Sequence, residues 1–227
     1  MTNHAHQQNQ RPLKPAQGRA VVIFGGTFDP VHYGHLRAAS EVKEALSEAE
    51  LRLLPSGTPP HRDHTFANAQ HRLAMLELVL KNHPDFTIDQ REILRNGPSY
   101  MVDTLKSIRQ ESPDISLSLV LGQDAANDLD RWHRWQELFE LCHLIVMTRP
   151  ESASAYSAQL TPQMQQRSTQ TQQRLLAYQH GLVLHLPITQ LAISSTDIRQ
   201  QIQQGYNPRF LLPVSVIEYI KNHQLYR

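Results

Sequence analysis

The chain has 227 residues, 40% of them hydrophobic and 19% charged, with a formal net charge of +1 and a pI near 8.0. That length can bury a sizeable core, and the near-neutral charge excludes a partner held by bulk electrostatics, nucleic acid and acidic membrane surfaces included. A single cysteine, Cys142, excludes an intrachain disulfide and a cysteine metal cage. No apolar run approaches the ~20 residues of a membrane helix, and the polar opening MTNHAHQQNQRPLKPAQG lacks the apolar stretch of a secretory signal. Residues 1–18 therefore read as a disordered polar tail before one domain over 19–227, in a reducing cytoplasm.

RAVVIF (19–24) has the continuous apolar character of a strand buried on both faces. Next, HLRAASEVKEALSEA places Leu36, Ala39, Val42 and Leu46 at helical spacing. ELRLLPS (50–56) is a second strand, followed by the loop GTPPHRDHTFANA and a helix in QHRLAMLELVLKN. FTIDQREI (86–93) alternates as a strand near a sheet edge. Ser99 is the expected N-cap of a helix in YMVDTLKSIRQ. SLSLVLG (116–122) is a central strand, DAANDLDRWHRWQELFELC a helical region, and HLIVMTR a further strand. Residues 151–180 are rich in Gln, Ser and Thr and predict an excursion with one helix. GLVLHLP (181–187) is the last strand, and ISSTDIRQQIQQG and PVSVIEYIKNHQ supply the final helices. Strands alternating with helices predict an α/β fold, a Rossmann-like doubly wound parallel sheet covered on both faces.

In such a sheet, ligands bind beyond the carboxyl ends of the strands, where helices begin. FGGTFDPVHYGH (24–35) lies at one such place. Gly25 and Gly26 let backbone approach a ligand, and the next helix start offers unpaired N–H groups and a positive dipole end to phosphate. His32 and His35 are three apart, so they share a face once helical geometry begins, and their imidazoles can donate to phosphate oxygens. Neither a P-loop nor a G-x-G-x-x-G follows this strand. ISSTDIR (193–199) reads on its own as a capped helix with a solvated arginine and, paired with the first loop, as a second phosphate motif: Ser194 and Asp197 have capping-box spacing, with Gly205 as the C′ terminator. Ser195 and Thr196 would occupy the first turn, with Arg199 one turn on, able to fork onto phosphate oxygens.

GGTFDPVHYGH, together with PPHR (59–62), PSY (98–100), GQD (122–124), RWHRW (131–135) and ISSTDIR in that order, resembles the T/H-x-G-H nucleotidyltransferase superfamily. The string is most similar to its bacterial nicotinate-nucleotide adenylyltransferase branch, from about residue 19 to the C-terminus. The resemblance implies an ATP site made of Gly25, Gly26, Thr27, Phe28, His32 and His35 on one side. Ser194, Ser195, Thr196 and Arg199 would hold the β and γ phosphates, with Gly122 and Asp124 toward the ribose. It makes His32, His35 and Arg199 the catalytic residues. For the acceptor, nicotinate mononucleotide, it implies Tyr100, Met101, Trp132 and His133, with His61 and Arg62 toward its phosphate. Trp132 would stack on the pyridine ring while Trp135 packs in the core. Met101 stands where relatives often carry threonine: a contact through the backbone N–H survives that change, and one through a hydroxyl does not.

The reaction implied is adenylyl transfer from ATP to nicotinate mononucleotide, giving nicotinate adenine dinucleotide and pyrophosphate, with Mg²⁺ carried on the ATP phosphates. No side-chain metal site is expected: His61 and His64 lack a third and fourth ligand. The expected partners are ATP and nicotinate mononucleotide, without nucleic acid or membrane, in a monomer or small homo-oligomer. The rivals are a sister transferase acting on nicotinamide mononucleotide or phosphopantetheine, a non-catalytic nucleotide-binding domain, and a class I aminoacyl-tRNA synthetase. Trp132, PSY and PPHR favour the pyridine nucleotide, and the chain has no Lys-Met-Ser-Lys-like loop.

Overall fold

The computed structural model describes residues 12–59, 65–148, 155–189 and 191–227. Its strands are β1 Ala20–Gly26, β2 Glu50–Pro55, β3 Phe86–Ile88, β4 Ser116–Gly122, β5 His143–Thr148, β6 Ser168–Thr169 and β7 Val183–Pro187. They form one sheet in the order β3-β2-β1-β4-β5-β7-β6, with every pairing parallel. The helices are α1 Tyr33–Ala45, α2 Ala69–Leu80, α3 Arg91–Leu94, α4 Met101–Glu111, α5 Gln123–Asn127, α6 Leu138–Leu141, α7 Leu160–Gln166, α8 Gln172–Ala177, α9 Ser195–Gln203 and α10 Val214–Asn222.

Strand residues alternate between two cores, as the two-residue period of a strand requires. On one face Val22, Phe24, Leu51, Leu53 and Ile145 pack with Val42 of α1, Met75 and Leu76 of α2, and Val216 and Ile220 of α10. On the other, Val21, Ile23, Leu117, Leu119 and Val146 pack with Leu105 and Ile108 of α4 and Leu138 and Phe139 of α6. Each such side chain contributes about 1.5–3 kcal/mol when fully buried, so both layers are fastened to the sheet.

The chain runs outward from β1 to β3 and then restarts at β4 on the other side of β1, which makes β1/β4 the switch point. Direct β1–β4 register ends at Phe24↔Val120. Beyond it Gly25 and Gly26 continue against Leu54 and Pro55 of β2, while Leu121 and Gly122 continue against Val146 and Met147 of β5. The two strands thus part at their carboxyl ends and open a crevice.

Several local expectations need correction. FTIDQREI is a strand only over Phe86–Ile88, because Asp89 then accepts bonds from the Arg91 backbone N–H and side-chain Nε and turns the chain into α3. Within the expected excursion 151–180, the described residues 155–180 carry two helices, α7 and α8, separated by the short edge strand β6. Ser99 does not cap α4: Tyr100 is the N-cap, and the Ser99 hydroxyl accepts from the Gly57 and Thr58 N–H groups, both at 3.1 Å. The stretch around RWHRW is no continuous helix; two 3₁₀ turns, Leu129–Arg131 and Trp135–Glu137, flank an extended Trp132 and a left-handed Arg134 at φ 55°. Of the expected tail, residues 1–11 lie outside the described residues, and the remainder is bonded to the rest of the fold. Gln179 N–H donates to Lys14 O, and the Ala16 and Gln17 N–H groups donate to Ala177 O and Asp114 O, docking this stretch on the sheet margin. Among the described residues, no helix is long and apolar enough to cross a membrane.

Candidate active site

The residues of FGGTFDPVHYGH turn from β1 into α1, with His32 as the N-cap in extended conformation and no side-chain bond closing the helix start. His32 and His35 stack, with ring centroids 3.7 Å apart, and Phe28 meets the His35 ring edge-on at 5.0 Å. The glycine between them answers a close approach. A Cβ on Gly34 would lie 3.0 Å from the His32 ring and 3.4 Å from the Ile193 carbonyl oxygen. Burial lowers the His32 pKa to about 4. Burial, and then the His32 charge, lowers that of His35 well below its usual 6.5.

Ser194 caps α9, its hydroxyl accepting from the Thr196 and Asp197 N–H groups as the spacing predicts. The helix ends with Gly205 at φ +79°, where Gly205 N–H reaches Ile202 O and Tyr206 N–H reaches Gln201 O, a Schellman closure. Two bonds join the two motifs: Ser195 Oγ donates to Pro30 O at 3.0 Å and Arg199 Nη1 donates to Asp29 O at 2.7 Å. Arg199 Nη2 also donates to Thr196 Oγ1, at 3.2 Å. Both terminal nitrogens therefore already hold a protein acceptor, and the expected fork is narrowed to their remaining hydrogens and to Nε. Among the described residues, His32 Nδ1, His35 Nδ1, Arg199 Nε and Ser56 Oγ are buried polar atoms without a hydrogen-bond partner. Buried polar atoms are ordinarily satisfied. The two imidazole nitrogens belong to residues that line the cavity at the start of α1 and suit an anionic ligand, whereas Arg199 lies a turn into α9, outside the lining of that cavity, and Ser56 follows β2.

Two cavities meet at the crevice. One, of about 350 Å³, is lined by His32, Gly34, His35, Ser194, Ser195 and Thr196, with Phe24, Met147, Ile188 and Ile193 as its apolar wall. The other, of about 380 Å³, is lined by Gly25, Gly26, Thr27, Tyr100, Met101, Trp132 and His133 among others. Gly122, at the end of β4, borders both. In the second cavity Trp132 is half-buried and the Tyr100 and His133 rings lie 4.3 Å apart. α4 begins without a side-chain cap, and its first two residues, Met101 and Val102, line the cavity. Trp135 is 7% exposed and packs in the core, against Phe139. Asp124 is exposed in the first turn of α5, beside Gly122. His61 and Arg62 lie outside the described residues.

Other residues shape the site without having been singled out from the sequence. Ser56 Oγ borders the second cavity. So does Glu92, whose carboxyl burial pushes up and which accepts from Thr104 Oγ1 at 2.6 Å. Arg72 is fully buried and donates to Thr27 O at 2.8 Å, Gly57 O at 2.9 Å and Ala67 O at 3.2 Å, tying three loops together. A basic residue inside a helix carries no sign that it will bind carbonyls of loops 15 and 45 positions away.

The cytidylyltransferase-like family model matches residues 23–201. A Methylococcus capsulatus protein named "probable nicotinate-nucleotide adenylyltransferase" is 48% identical over 91% of this chain and 99% of its own length. One of the same name from Acidithiobacillus ferrooxidans is 44% identical over 91% of this chain and 95% of its own length. Among solved structures, Plasmodium falciparum nicotinic acid mononucleotide adenylyltransferase complexed with NaAD superposes with a TM-score of 0.70 at 17% identity, covering 92% of this chain and 98% of that one. That last likeness is one of fold.

Proposed function

The chain belongs to the nicotinate-nucleotide adenylyltransferases of the cytidylyltransferase-like family, and we propose that it transfers the adenylyl group of ATP to nicotinate mononucleotide in NAD biosynthesis. The observation that carries this reading is the pair of cavities sharing Gly122, one edged by helix starts and orphaned imidazoles, the other by Tyr100, Trp132 and the start of α4. A triphosphate in the first and a pyridine mononucleotide in the second would bring an acceptor phosphate to the α-phosphorus at the parted ends of β1 and β4.

An oxygen of the acceptor 5′-phosphate attacks the α-phosphorus in line. The bond from that phosphorus to the bridging α–β oxygen breaks, and pyrophosphate leaves with the electron pair. The nucleophile is already ionised, so the site need supply no strong base. Its contributions are positioning and stabilisation of charge on the phosphoryl oxygens. His32 and His35 donate from their ring nitrogens, Arg199 from Nε, and the starts of α1 and α9 from their N–H groups and dipoles. Polyphosphate alongside opposes the burial that keeps the imidazoles neutral and favours their cationic form. Mg²⁺ arriving on the triphosphate would neutralise charge there. Among the described residues, no group of three or more His, Cys, Asp or Glu is placed to hold it instead.

Recognition of the acceptor rests on Trp132 and Tyr100 for the flat ring and on the N–H groups of α4 for its carboxylate. His61 and Arg62 would meet its phosphate. The enzyme would act in the cytoplasm, as a monomer or small homo-oligomer. Pyrophosphate release from ATP should be fastest with nicotinate mononucleotide as acceptor, ahead of nicotinamide mononucleotide and phosphopantetheine. Turnover with phosphopantetheine alone, or with none of the three, contradicts the reading.

A further inference from the structure

Asp29 is 1% exposed, and no step described above uses its carboxylate. It nevertheless gathers distant parts of the chain. Its Oδ2 accepts from the Phe66 N–H at 2.8 Å, and its Oδ1 accepts from the Ala67 N–H at 3.1 Å and the Tyr226 hydroxyl at 2.7 Å. Its backbone carbonyl receives Arg199 Nη1. Tyr226 is the penultimate residue, 6% exposed, with a left-handed φ of 61°. A non-glycine residue adopts that backbone conformation only where its surroundings over-determine it. The Phe66 ring, held by its own N–H on Asp29, lies 4.2 Å from the Arg199 guanidinium and is 63% exposed on its outer side.

Arg199 therefore sits in a three-sided seat: the Asp29 carbonyl on Nη1, the Thr196 hydroxyl on Nη2, and the Phe66 ring against its face. Nε is the buried atom left without a partner. We propose that Asp29, Phe66 and Tyr226 are positioning residues that aim Arg199 at the triphosphate, which makes the segment following α10 a support of the ATP site. This rests on the reading of Arg199 as a triphosphate ligand. The ring also keeps water off one side of the guanidinium, so its charge is less screened where phosphate would lie.

The test uses the full chain, with calorimetric binding of ATP and of AMP, which lacks the β and γ phosphates. Tyr226→Phe keeps the ring and removes only the hydroxyl. It should raise the ATP dissociation constant about 5–10-fold, the scale of one ordinary hydrogen bond, and leave AMP and the KM for the acceptor unchanged. In an Arg199→Ala background the same change should have no further effect on ATP. Equal weakening of ATP and AMP, or an undiminished loss in the Arg199→Ala background, overturns the proposal and leaves Tyr226 a merely structural residue. If Tyr226→Phe does not fold, Phe66→Leu at its exposed position decides. It should weaken ATP about 3-fold through the lost cation–π contact, and a wild-type ATP constant overturns the proposal. Nucleotide binding needs no acceptor, so failure of pyrophosphate release on every acceptor would contradict the enzyme reading alone.

Discussion

The imidazoles of His32 and His35 stack with centroids 3.7 Å apart and planes 25° from parallel, at the start of the first helix. Two rings so close, His32 buried and His35 with its Nδ1 buried, disfavour positive charge on either in the unliganded protein. Burial takes His32 to about 4, and burial with its neighbour's charge takes His35 well below its usual value. An anion held against them reverses that preference, which gives the site a pH signature.

The sign follows from linkage. Unfolded histidine titrates near 6.5, whereas His32 and the core residue His143 titrate at about 4 in the folded chain. Above the unfolded value both states are neutral there. Below it the unfolded state binds more protons, so stability is lost as the pH falls toward the folded values. The melting temperature without nucleotide should drop by about 10 °C between pH 7 and pH 4.5. ATP binding should tighten as pH falls from 8 to 6 with net proton uptake, read from binding heats in buffers of different ionisation enthalpy. A pH-independent binding constant would contradict the role of the two rings.

Replacing His35 with alanine removes one donor from the developing charge. Turnover should fall by ~10²–10³, about 3–4 kcal/mol of barrier, while the KM for nicotinate mononucleotide stays within about twofold. Pyrophosphate release under saturating substrates measures this, and a near-wild-type turnover number would remove His35 from the chemistry.

Trp132 is half-buried beside the second cavity, while Trp135 is committed to the core. Trp132→Ala should raise the KM for the pyridine nucleotide about 3–10-fold, the worth of one stacking contact, with a smaller change in the ATP constant. An unchanged acceptor KM would make Trp132 a packing residue.

Two glycines should fail differently. A Cβ at Gly57 would come 2.1 Å from the Glu92 carbonyl oxygen, a backbone clash that nothing nearby can yield to. Gly57→Ala should cost about 2–3 kcal/mol in urea unfolding. A Cβ at Gly34 presses on the His32 ring instead, at 3.0 Å. Gly34→Ala should lower kcat at least about 10-fold by displacing that ring, with a stability loss nearer 1 kcal/mol. Equal losses of stability in the two variants would contradict the distinction.

What was legible in the sequence was local. Continuous apolar runs marked β1, β2, β4, β5 and β7, and capping chemistry marked both ends of α9, Ser194 and Gly205 included. The two phosphate motifs announced themselves by residue type and spacing, and the structure brings them together through Ser195 and Arg199. What stayed hidden depends on tertiary partners. Ser99 looks like a cap until the N–H groups of Gly57 and Thr58, more than forty positions earlier, take its hydroxyl. The helix expected through RWHRW breaks at left-handed Arg134, whose guanidinium is held by Glu137 and Asp103. Nothing near Asp29 announces Tyr226, 197 residues away.

The most direct test of the central claim is a crystal structure with a non-hydrolysable ATP analogue and nicotinate mononucleotide. The β and γ phosphates should lie between the start of α1 and the start of α9, within hydrogen-bond reach of His32, His35 and Arg199 Nε. The pyridine ring should lie against Trp132. A triphosphate bound away from these two helix starts, or a pyridine ring outside the cavity of Tyr100 and Trp132, would contradict the account.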